Sequence, residues 1–175
     1  VQEGVQLCPL PAHVRVAEVP QALMQSVSQM DAPQGAAFIC NMPQERTSRV
    51  QAGCVLLDGI QDPGNLGTIL RTADALSVPV VLLDGCADAY NAKTVRASMG
   101  AVFRTQPVRM TREAAVESCR EQGIALLATA MSDDAKDLRA AALERAAVVI
   151  GSEGGGVSRM LLDAADGKIV IPMSE

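Results

Sequence analysis

The amino-acid sequence predicts an α/β fold in which helices cover both faces of a mainly parallel sheet. Short runs of Val, Leu, Ile and Ala alternate along the chain with segments whose apolar residues recur at helical spacing. The apolar runs are continuous rather than alternating, which is typical of strands buried on both faces. Because alternating strands and helices form βαβ units, these patterns together favour a parallel sheet between two layers of helices.

The alternation begins at Gly53. The first helix has apolar residues at positions 66, 69, 70, 73 and 76, and a later helix over 111–124 has Thr111 as its N-cap and Gly123 just past its end. The predicted strands are 53–60, 78–85, a short one at the end of 97–108, 125–130, 146–151 and 168–173. The remaining predicted helices are 137–146 and 157–166.

Residues 1–52 do not follow this alternation. The segment 19–30 predicts a short helix, and 31–42 predicts an Asp-Ala-Pro turn followed by one more strand. We therefore expect residues 1–32 to be a linker or the tail of a preceding unit, and residues 33–175 to be the main domain.

The amino-acid composition indicates the kind of core and argues against a membrane span and a zinc site. Hydrophobic residues make up 49% of the chain, but only Phe38, Tyr90 and Phe103 are aromatic, so the core is built from aliphatic side chains and methionine. No apolar run reaches the ~18 residues that indicate a membrane span, and no charged-then-apolar leader opens the sequence. Five cysteines without C-x-x-C spacing and a single histidine do not form a zinc set, so we expect no metal and a reducing, cytoplasmic setting.

The net charge of −5 argues against a nonspecific nucleic-acid binder, which is normally basic. The charge is unevenly distributed, however. Residues 61–112 carry six basic and four acidic side chains, whereas the flanking segments are both acidic in net charge. We expect an anionic partner to be held by this middle third, although a scattered solvated surface would give the same count.

A first glycine-rich stretch, DPGNLGTILRTADAL at 62–76, follows an apolar run and leads into a helix. Such a turn is a common ligand cradle at a helix N-terminus. It is not a P-loop, because Gly67 is followed by Thr68 and Ile69, and it is not a dinucleotide fingerprint, because the residue two before Gly64 is Asp62. Arg71 lies one turn into the helix, where it can project toward a ligand.

A second glycine-rich stretch, VVIGSEGGGVS at 148–158, also joins an apolar strand to a helix. Gly151, Gly154 and Gly156 have the order G-x-x-G-x-G, which is wrong for a dinucleotide fingerprint. Glu153 would repel phosphate, but it could orient an arginine or accept a hydrogen bond from a hydroxyl. The alternative is a flexible turn with a solvated glutamate.

A third stretch, IVIPMSE at 169–175, is an apolar strand stopped by Pro172. Together the three stretches resemble the motifs of the SpoU (TrmH-like) RNA 2′-O-ribose methyltransferases of the SPOUT class. The similar segments are Asn65-Leu66-Gly67 with Arg71-Thr72-Ala73, then Gly151 to Ser158, then Ile171-Pro172-Met173, in the family's order. The stretch VRASMGAVFR at 95–104 also resembles the family's segment between motifs, and the resemblance extends over residues 33–175.

The resemblance implies a knotted SPOUT-type fold and an enzyme that methylates a ribose 2′-hydroxyl in structured RNA, either rRNA or tRNA. It implies S-adenosylmethionine as the cofactor, no metal, no membrane and a homodimer in the full-length protein. The implied cofactor-binding residues are Thr129, Gly151, Ile171 and Met173. Arg71 is the implied catalytic residue, with Asn65 and Glu153 fixing the arginine and the ribose. Arg71, Arg96 and Ser98 are the candidates for RNA contact, and a structural role is equally open for Arg96 and Ser98.

Two parts of the family pattern are absent from the sequence. The third motif normally continues into a Ser-Leu-Asn-Val-Ser segment and a closing helix, which complete the knot, line the cofactor pocket and pack the dimer. Residues 1–32 resemble only the last piece of a small ribosomal-protein-like substrate-binding domain. We therefore expect this chain to be a piece of a longer protein, or its ordered part.

Two other functions remain open from the residues. One is a nucleotide- or NAD-binding protein, since Asp84 ends the second strand where a Rossmann unit places its ribose-binding acid. The other is an RNA-binding module without catalysis. The glycine order argues against the first, and the presence of Arg71, Asn65 and Glu153 argues against the second.

Overall fold

The computed structural model describes residues 1–28, 30, 32–43 and 49–172. The chain divides into two compact units, Val1–Pro43 and Gln44–Glu175. The first unit contains helix α1 (Gln21–Val27), as predicted for 19–30, with Met24 buried. The strand predicted in 31–42 is wrong for the described residues of that segment. Phe38 and Ile39 lie exposed there, so these apolar side chains have no sheet to pack into.

The second unit contains one seven-stranded sheet in the order β3-β2-β1-β6-β4-β7-β5, and every neighbouring pair is parallel. The strands are β1 (Val55–Asp58), β2 (Val80–Leu82), β3 (Val108–Arg109), β4 (Ala125–Thr129), β5 (Lys136–Asp137), β6 (Ala146–Gly151) and β7 (Gly167–Val170). The helices are α2 (Pro63–Leu76), α3 (Ala92–Ala97), α4 (Val102–Thr105), α5 (Arg112–Gln122) and α6 (Arg159–Ala164). The predicted parallel α/β fold is confirmed.

Helices cover both faces of the sheet, and each face has its own core. Successive residues of a strand point to opposite faces, so Leu56 is buried on one side and Leu57 on the other. The core under α5 and α6 includes Val116, Cys119 and Leu161. The second core, under α2 to α4, includes Leu66, Leu70, Ala73, Ala89 and Val102. The two sides of the central strands are therefore both apolar, which explains their continuous apolar sequence.

The predicted helix over 137–146 is wrong. Lys136 and Asp137 instead pair with Ile169 and Val170 as edge strand β5, and a single 3-10 turn (Leu138–Ala140) follows. The Asp137 carboxylate accepts from the Arg139 N–H and caps that turn. Pairing at the sheet edge and local capping outweigh the helix propensity of the alanine-rich run, because propensity differs by only a few tenths of a kcal/mol per residue.

Helix α5 begins and ends where the sequence predicts. The Thr111 hydroxyl accepts from the Ala114 N–H at 3.1 Å, and Gly123 takes the left-handed conformation with φ 61° just past the end. In the part of the chain that the structure describes, no helix has the length and hydrophobicity needed to cross a membrane.

Gly67 brings α2 into direct contact with α3. A Cβ atom at this position would lie 2.5 Å from Cβ of Ala97, 2.6 Å from the Thr94 carbonyl oxygen and 2.8 Å from the Ser98 nitrogen. Two of these atoms belong to the backbone and cannot rotate away. Glycine is therefore required for the close packing of the two helices, rather than for a special turn conformation.

We expect Gly67→Ala to destabilise the protein by about 1–3 kcal/mol, because overpacking outweighs the better helix propensity of alanine. Urea unfolding measures the effect. Thr68→Ala, one residue along on the exposed side of the same helix, is the matched control and should change stability by less than about 0.5 kcal/mol. Equal stability of Gly67→Ala and the wild type would show that α2 and α3 are not held this closely.

Candidate functional site

The carboxyl ends of four neighbouring strands form the candidate site. Asp58 of β1 is in register with Gly151 of β6, and Thr129 of β4 is in register with Ile169 of β7. Because the strands are parallel, the loops that follow them all leave the sheet at the same edge. In open parallel α/β sheets, ligands bind at this edge.

The first glycine loop is held in place by Asp62. Its carboxylate caps α2 by accepting from the Asn65 N–H at 2.8 Å, and it accepts a second hydrogen bond from Lys93 Nζ at 2.8 Å. The hydrogen bond from Lys93 is the main cause that lowers the pKa of Asp62 below its usual value, and the Asn65 N–H adds to it. Asp62 is therefore ionised at neutral pH and ties the start of α2 to α3.

The second glycine loop closes on itself as a tight turn. The Gly156 N–H donates to the Ser152 carbonyl at 2.9 Å, the Ser152 N–H donates back at 3.2 Å, and the Gly155 N–H donates to Ser152 Oγ at 3.1 Å. At Gly151 a Cβ atom would lie 2.0 Å from the carbonyl carbon of Gly156. Only glycine at position 151 lets the end of the loop pack against its beginning.

A hydrogen bond joins the two glycine loops. Asn65 Nδ2 donates to Glu153 Oε1, across 88 residues of sequence. The prediction that these loops share one edge of the sheet is confirmed, and Asn65 and Glu153 are brought together as one polar pair at the surface.

Arg71 does not join this pair. It lies exposed on α2, and it forms no ion pair or hydrogen bond with the described residues. Side chains six residues apart leave a helix in directions about 120° apart, so Asn65 and Arg71 point to different flanks of α2. The expected fixing of Arg71 by Asn65 and Glu153 is therefore not seen.

The flank that carries Arg71 faces α3 and α4. Gly67, Arg71 and Asp74 follow one side of α2 at spacings of four and three residues. Gly67 packs on α3, and Asp74 accepts two hydrogen bonds from the Arg104 guanidinium of α4. Arg71 thus lies between these two contacts, along the seam where α2 meets the α3–α4 segment.

Three of the six basic side chains of the middle third are neutralised by carboxylates within the fold. Lys93, Arg104 and Arg112 form ion pairs with Asp62, Asp74 and Asp58. Arg109 donates to the Ala87 carbonyl at 2.8 Å. Within residues 61–112, all of which the structure describes, Arg71 and Arg96 are the basic side chains without an ion pair or hydrogen-bond partner among the described residues, and both are exposed.

Ser98 lies in the interior of the fold. Its side chain is fully buried, and its hydroxyl donates to the Val95 carbonyl at 2.8 Å at the end of α3. A hydroxyl in that position has no surface to offer RNA. The buried position of Ser98 therefore fits a structural role. Arg96 lies at the surface and stays a candidate for RNA contact.

Three of the four implied cofactor residues lie along the same edge. Thr129 ends β4 and its hydroxyl donates to the Val149 carbonyl of β6 at 2.9 Å, which ties the two strands together. Ile171, just beyond β7, is 57% exposed, and Met131, just beyond β4, is 95% exposed. Met173 lies outside the described residues. Thr129, Gly151 and Ile171 thus belong to three adjacent strand ends.

Sequence reasoning missed four polar residues of this edge: Asp58, Asp62, Lys93 and Arg112. Asp58 had one available signal, since it is a carboxylate that ends an otherwise apolar strand, VLLD. Arg112 and Lys93 lie far along the sequence from Asp58 and Asp62, with which they pair, so the sequence contains no signal for either residue. No three side chains of the metal-binding types come together within the described residues.

The model of the SpoU rRNA Methylase family matches residues 53–175, which include both glycine loops and the whole sheet. The chain belongs to this family.

Relatives and solved structures agree with that family. The chain is 36% identical over 149 residues to the 23S rRNA (guanosine(2553)-2′-O)-methyltransferase RlmP of Bacillus subtilis, covering 85% of this chain. It is similar to the AdoMet-bound rRNA methyltransferase of Sinorhizobium meliloti, with a TM-score of 0.78, 30% identity, and coverage of 90% of this chain and 63% of that one. It is also similar to the SpoU methyltransferase AviRb of Streptomyces viridochromogenes in complex with AdoMet, with a TM-score of 0.62, 31% identity, and coverage of 72% and 53%.

The chain spans only part of the length of the curated relatives named here. It spans 60% of the length of the Bacillus protein, and 49% and 61% of two staphylococcal relatives.

Proposed function

We propose that the protein is an S-adenosylmethionine-dependent enzyme that methylates a ribose 2′-hydroxyl in structured RNA, either rRNA or tRNA. The observation that carries the proposal is the joining of the two glycine loops by Asn65 and Glu153, at the sheet edge where ligands bind. Membership of the SpoU family and the named activity of the Bacillus relative support the same chemistry.

The loop between β6 and α6 fits S-adenosylmethionine better than it fits a phosphate-rich nucleotide. A Cβ atom at Gly154 would meet nothing within 4 Å, so the backbone at the tip of the loop is open to a ligand. Glu153 disfavours phosphate, but it is compatible with a cofactor that carries a cationic sulfonium. The exposed apolar surfaces of Ile171 and Met131 could pack against an adenine ring. When bound, the cofactor supplies an electrophilic methyl group.

Thr129 and Gly151 support this loop region without offering side-chain groups to a ligand. The Thr129 hydroxyl is used between strands, and Gly151 is required by loop packing. Both residues hold the loops so that main-chain groups can bind the ligand. Ile171 contributes apolar surface, and Met173 stays a cofactor-binding candidate on the family resemblance alone.

Arg71 is the proposed catalytic residue. A ribose hydroxyl that is to accept a methyl group must pass its proton to water or to an RNA phosphate oxygen. Its oxygen gains negative charge as the proton leaves, and a cation beside that oxygen lowers the energy of this state. The Arg71 guanidinium stays protonated under almost any condition, so it acts by positioning and charge stabilisation rather than as a base. Arg96, on the neighbouring α3, would add a contact to the RNA backbone.

Asn65 and Glu153 form a polar pair beside the open loop. Asn65 Nδ2 is used by Glu153, which leaves the amide oxygen of Asn65 and the second carboxylate oxygen of Glu153 as acceptors for a ribose hydroxyl. We therefore assign the pair to orientation of the substrate ribose. Their hydrogen bond also keeps the two loops at a fixed separation.

The NAD-binding alternative is disfavoured by the surroundings of Asp84. Its carboxylate accepts from the Arg112 N–H at 3.1 Å, and its carbonyl accepts from Arg112 Nη2 at 2.9 Å. A ribose-binding acid would instead face an open crevice beside a glycine loop.

The remaining expectations extend this proposal to the whole protein. Residues 1–32 would belong to a domain or linker that helps select the RNA. The full-length protein would be a cytoplasmic homodimer whose C-terminal segment threads into a trefoil knot. Light scattering of the full-length protein measures the oligomeric state directly.

A methylation assay tests the function. The protein, S-adenosylmethionine with a labelled methyl group, and rRNA or tRNA from cells lacking the modification should give label in RNA and one linkage that resists alkaline cleavage, since alkali cleaves RNA through the free 2′-hydroxyl. Calorimetric titration should detect S-adenosylmethionine and not NAD. Binding of NAD alone, or RNA binding without any methyl transfer, would refute the proposal in favour of one of the two alternatives.

A further inference from the structure

Asp58 carries a buried carboxylate at the centre of the site edge. It is the last residue of β1 and only 2% exposed. Its Oδ1 accepts from Arg112 Nε at 2.7 Å, and its Oδ2 accepts from the Ser158 N–H at 2.7 Å. One side chain thus connects β1, the start of α5 and the end of the second glycine loop.

We propose that Asp58 is a positioning residue that fixes the second glycine loop, residues 151–157, over the carboxyl ends of β6 and β4. This inference rests on the proposed function, because it assigns that loop to binding of S-adenosylmethionine. Asp58 itself lies beneath the loop and acts through the backbone of Ser158.

The loop is held at its base, its tip and its end. At the base, Gly151 packs directly against Gly156. At the tip, Glu153 accepts from Asn65. At the end, Val157 is buried and the N–H of the next residue, Ser158, donates to Asp58. The contact at the end is the one with a buried charge.

Ser158 is held through its backbone rather than its side chain. Its hydroxyl oxygen is buried and has no hydrogen-bond partner among the described residues. The chain therefore enters α6 with one strong polar contact, the N–H donated to Asp58. A charge-assisted hydrogen bond of this kind is shorter and stronger than a neutral one.

A carboxylate is required at Asp58 because both of its oxygens face donors. An amide of the same size has one oxygen and one NH₂ group. Its NH₂ group would therefore face a second donor, either the Arg112 guanidinium or the Ser158 N–H. The change would also remove the nearer of the two carboxylates that pair with the Arg112 guanidinium, which is 27% exposed, and would leave only Asp84, at 3.8 Å. Arg112 is anchored in turn by the Asp84 carbonyl at 2.9 Å, so the position of the loop depends on the start of α5.

Asp58→Asn tests the assignment, with Asp84→Asn as the matched control. Both residues contact Arg112, but Asp84 is half exposed and has no hydrogen bond to the glycine loop within the described residues. The measurements are calorimetric affinity for S-adenosylmethionine, thermal stability, and hydrogen exchange of the peptide over 151–158. Asp58→Asn should weaken cofactor binding at least about tenfold, with faster hydrogen exchange at the loop. Asp84→Asn should match the wild type in cofactor affinity and loop exchange.

A double variant separates positioning from stability. In Asp58→Asn with Arg112→Gln, the introduced asparagine can accept from the Ser158 N–H and donate to the introduced glutamine, so cofactor affinity and loop protection should return most of the way. The double variant also tests the inference if Asp58→Asn alone does not fold. A double variant that folds but keeps an unprotected loop would overturn the inference.

Two other outcomes are decisive. If Asp58→Asn lowers only the melting temperature and leaves cofactor affinity and loop exchange unchanged, Asp58 is structural and the inference is wrong. If the wild type binds no S-adenosylmethionine but Asp58→Asn still frees the loop, the positioning role stands and the proposed function fails.

Discussion

Replacing Arg71 by alanine is expected to lower methyl transfer at least about a hundredfold, the usual scale for loss of one group that stabilises a developing oxyanion. Folding and cofactor affinity should stay near wild type, because Arg71 is exposed and forms no bond with the described residues. Single-turnover methylation of RNA measures the rate, and calorimetry measures the affinity. Near wild-type turnover of the variant would show that the catalytic assignment is wrong.

Two further variants make this result specific. Arg71→Lys should recover little activity, because a point charge does not replace the planar, multidentate donor of a guanidinium. Arg120→Ala removes another exposed helical arginine, in the last turn of α5, and should leave the rate unchanged. A loss of rate in both alanine variants would point to a general effect of surface charge.

Gly151→Ala is expected to abolish cofactor binding in the measurable range and to destabilise the fold by about 1–3 kcal/mol through overpacking. Its Cβ atom would lie 2.0 Å from the carbonyl carbon of Gly156 and 2.1 Å from the Val157 nitrogen, both backbone atoms. The loop must therefore move as a whole, away from its contacts with Asn65 and Asp58. Calorimetry with S-adenosylmethionine and urea unfolding measure the two effects.

Gly154→Ala is the control for the stability part of that prediction. A Cβ atom at Gly154 would meet nothing within 4 Å, so this variant should unfold like the wild type. If Gly151→Ala also unfolds like the wild type and binds the cofactor with unchanged affinity, the close packing at the base of the loop is not needed.

The sequence predicted the parallel sheet and its helices because those features depend on local apolar patterns. Val55 to Leu57 and Ala146 to Ile150 are continuous apolar runs, and the helix begun by Thr111 is defined by its own cap. The prediction of a helix over 137–146 failed because the start of that segment pairs with β7, whose partner residues lie 33 positions further along the chain. Local propensity contains no information about such pairing.

The same distinction applies to the site. The family resemblance assigned Asn65 and Glu153 to one site, and the fold prediction placed the glycine loops that carry them at one edge of the sheet. The pairing of Asp58 with Arg112 and Ser158 spans 54 and 100 residues, so no spacing in the sequence indicates it. The burial of Ser98 could not be predicted either, since a serine beside an exposed arginine resembles a surface residue until the packing of α2 on α3 is known.

The internal ion pairs of residues 61–112 have a consequence for how salt should affect RNA binding. Each phosphate neutralised on a single strand releases counterions and contributes about −0.7 to the slope of log K against log salt concentration. Lys93, Arg104 and Arg112 are paired with Asp62, Asp74 and Asp58. The cations of this segment left to displace counterions are Arg71, Arg96 and Arg109, which donates only to a neutral backbone carbonyl. The slope from this segment would be shallow, about −2.1 for three such contacts. Recognition would then depend mainly on the shape of a folded RNA and on contacts to its bases. The net negative charge of the protein would weaken its nonspecific binding to other cellular RNA.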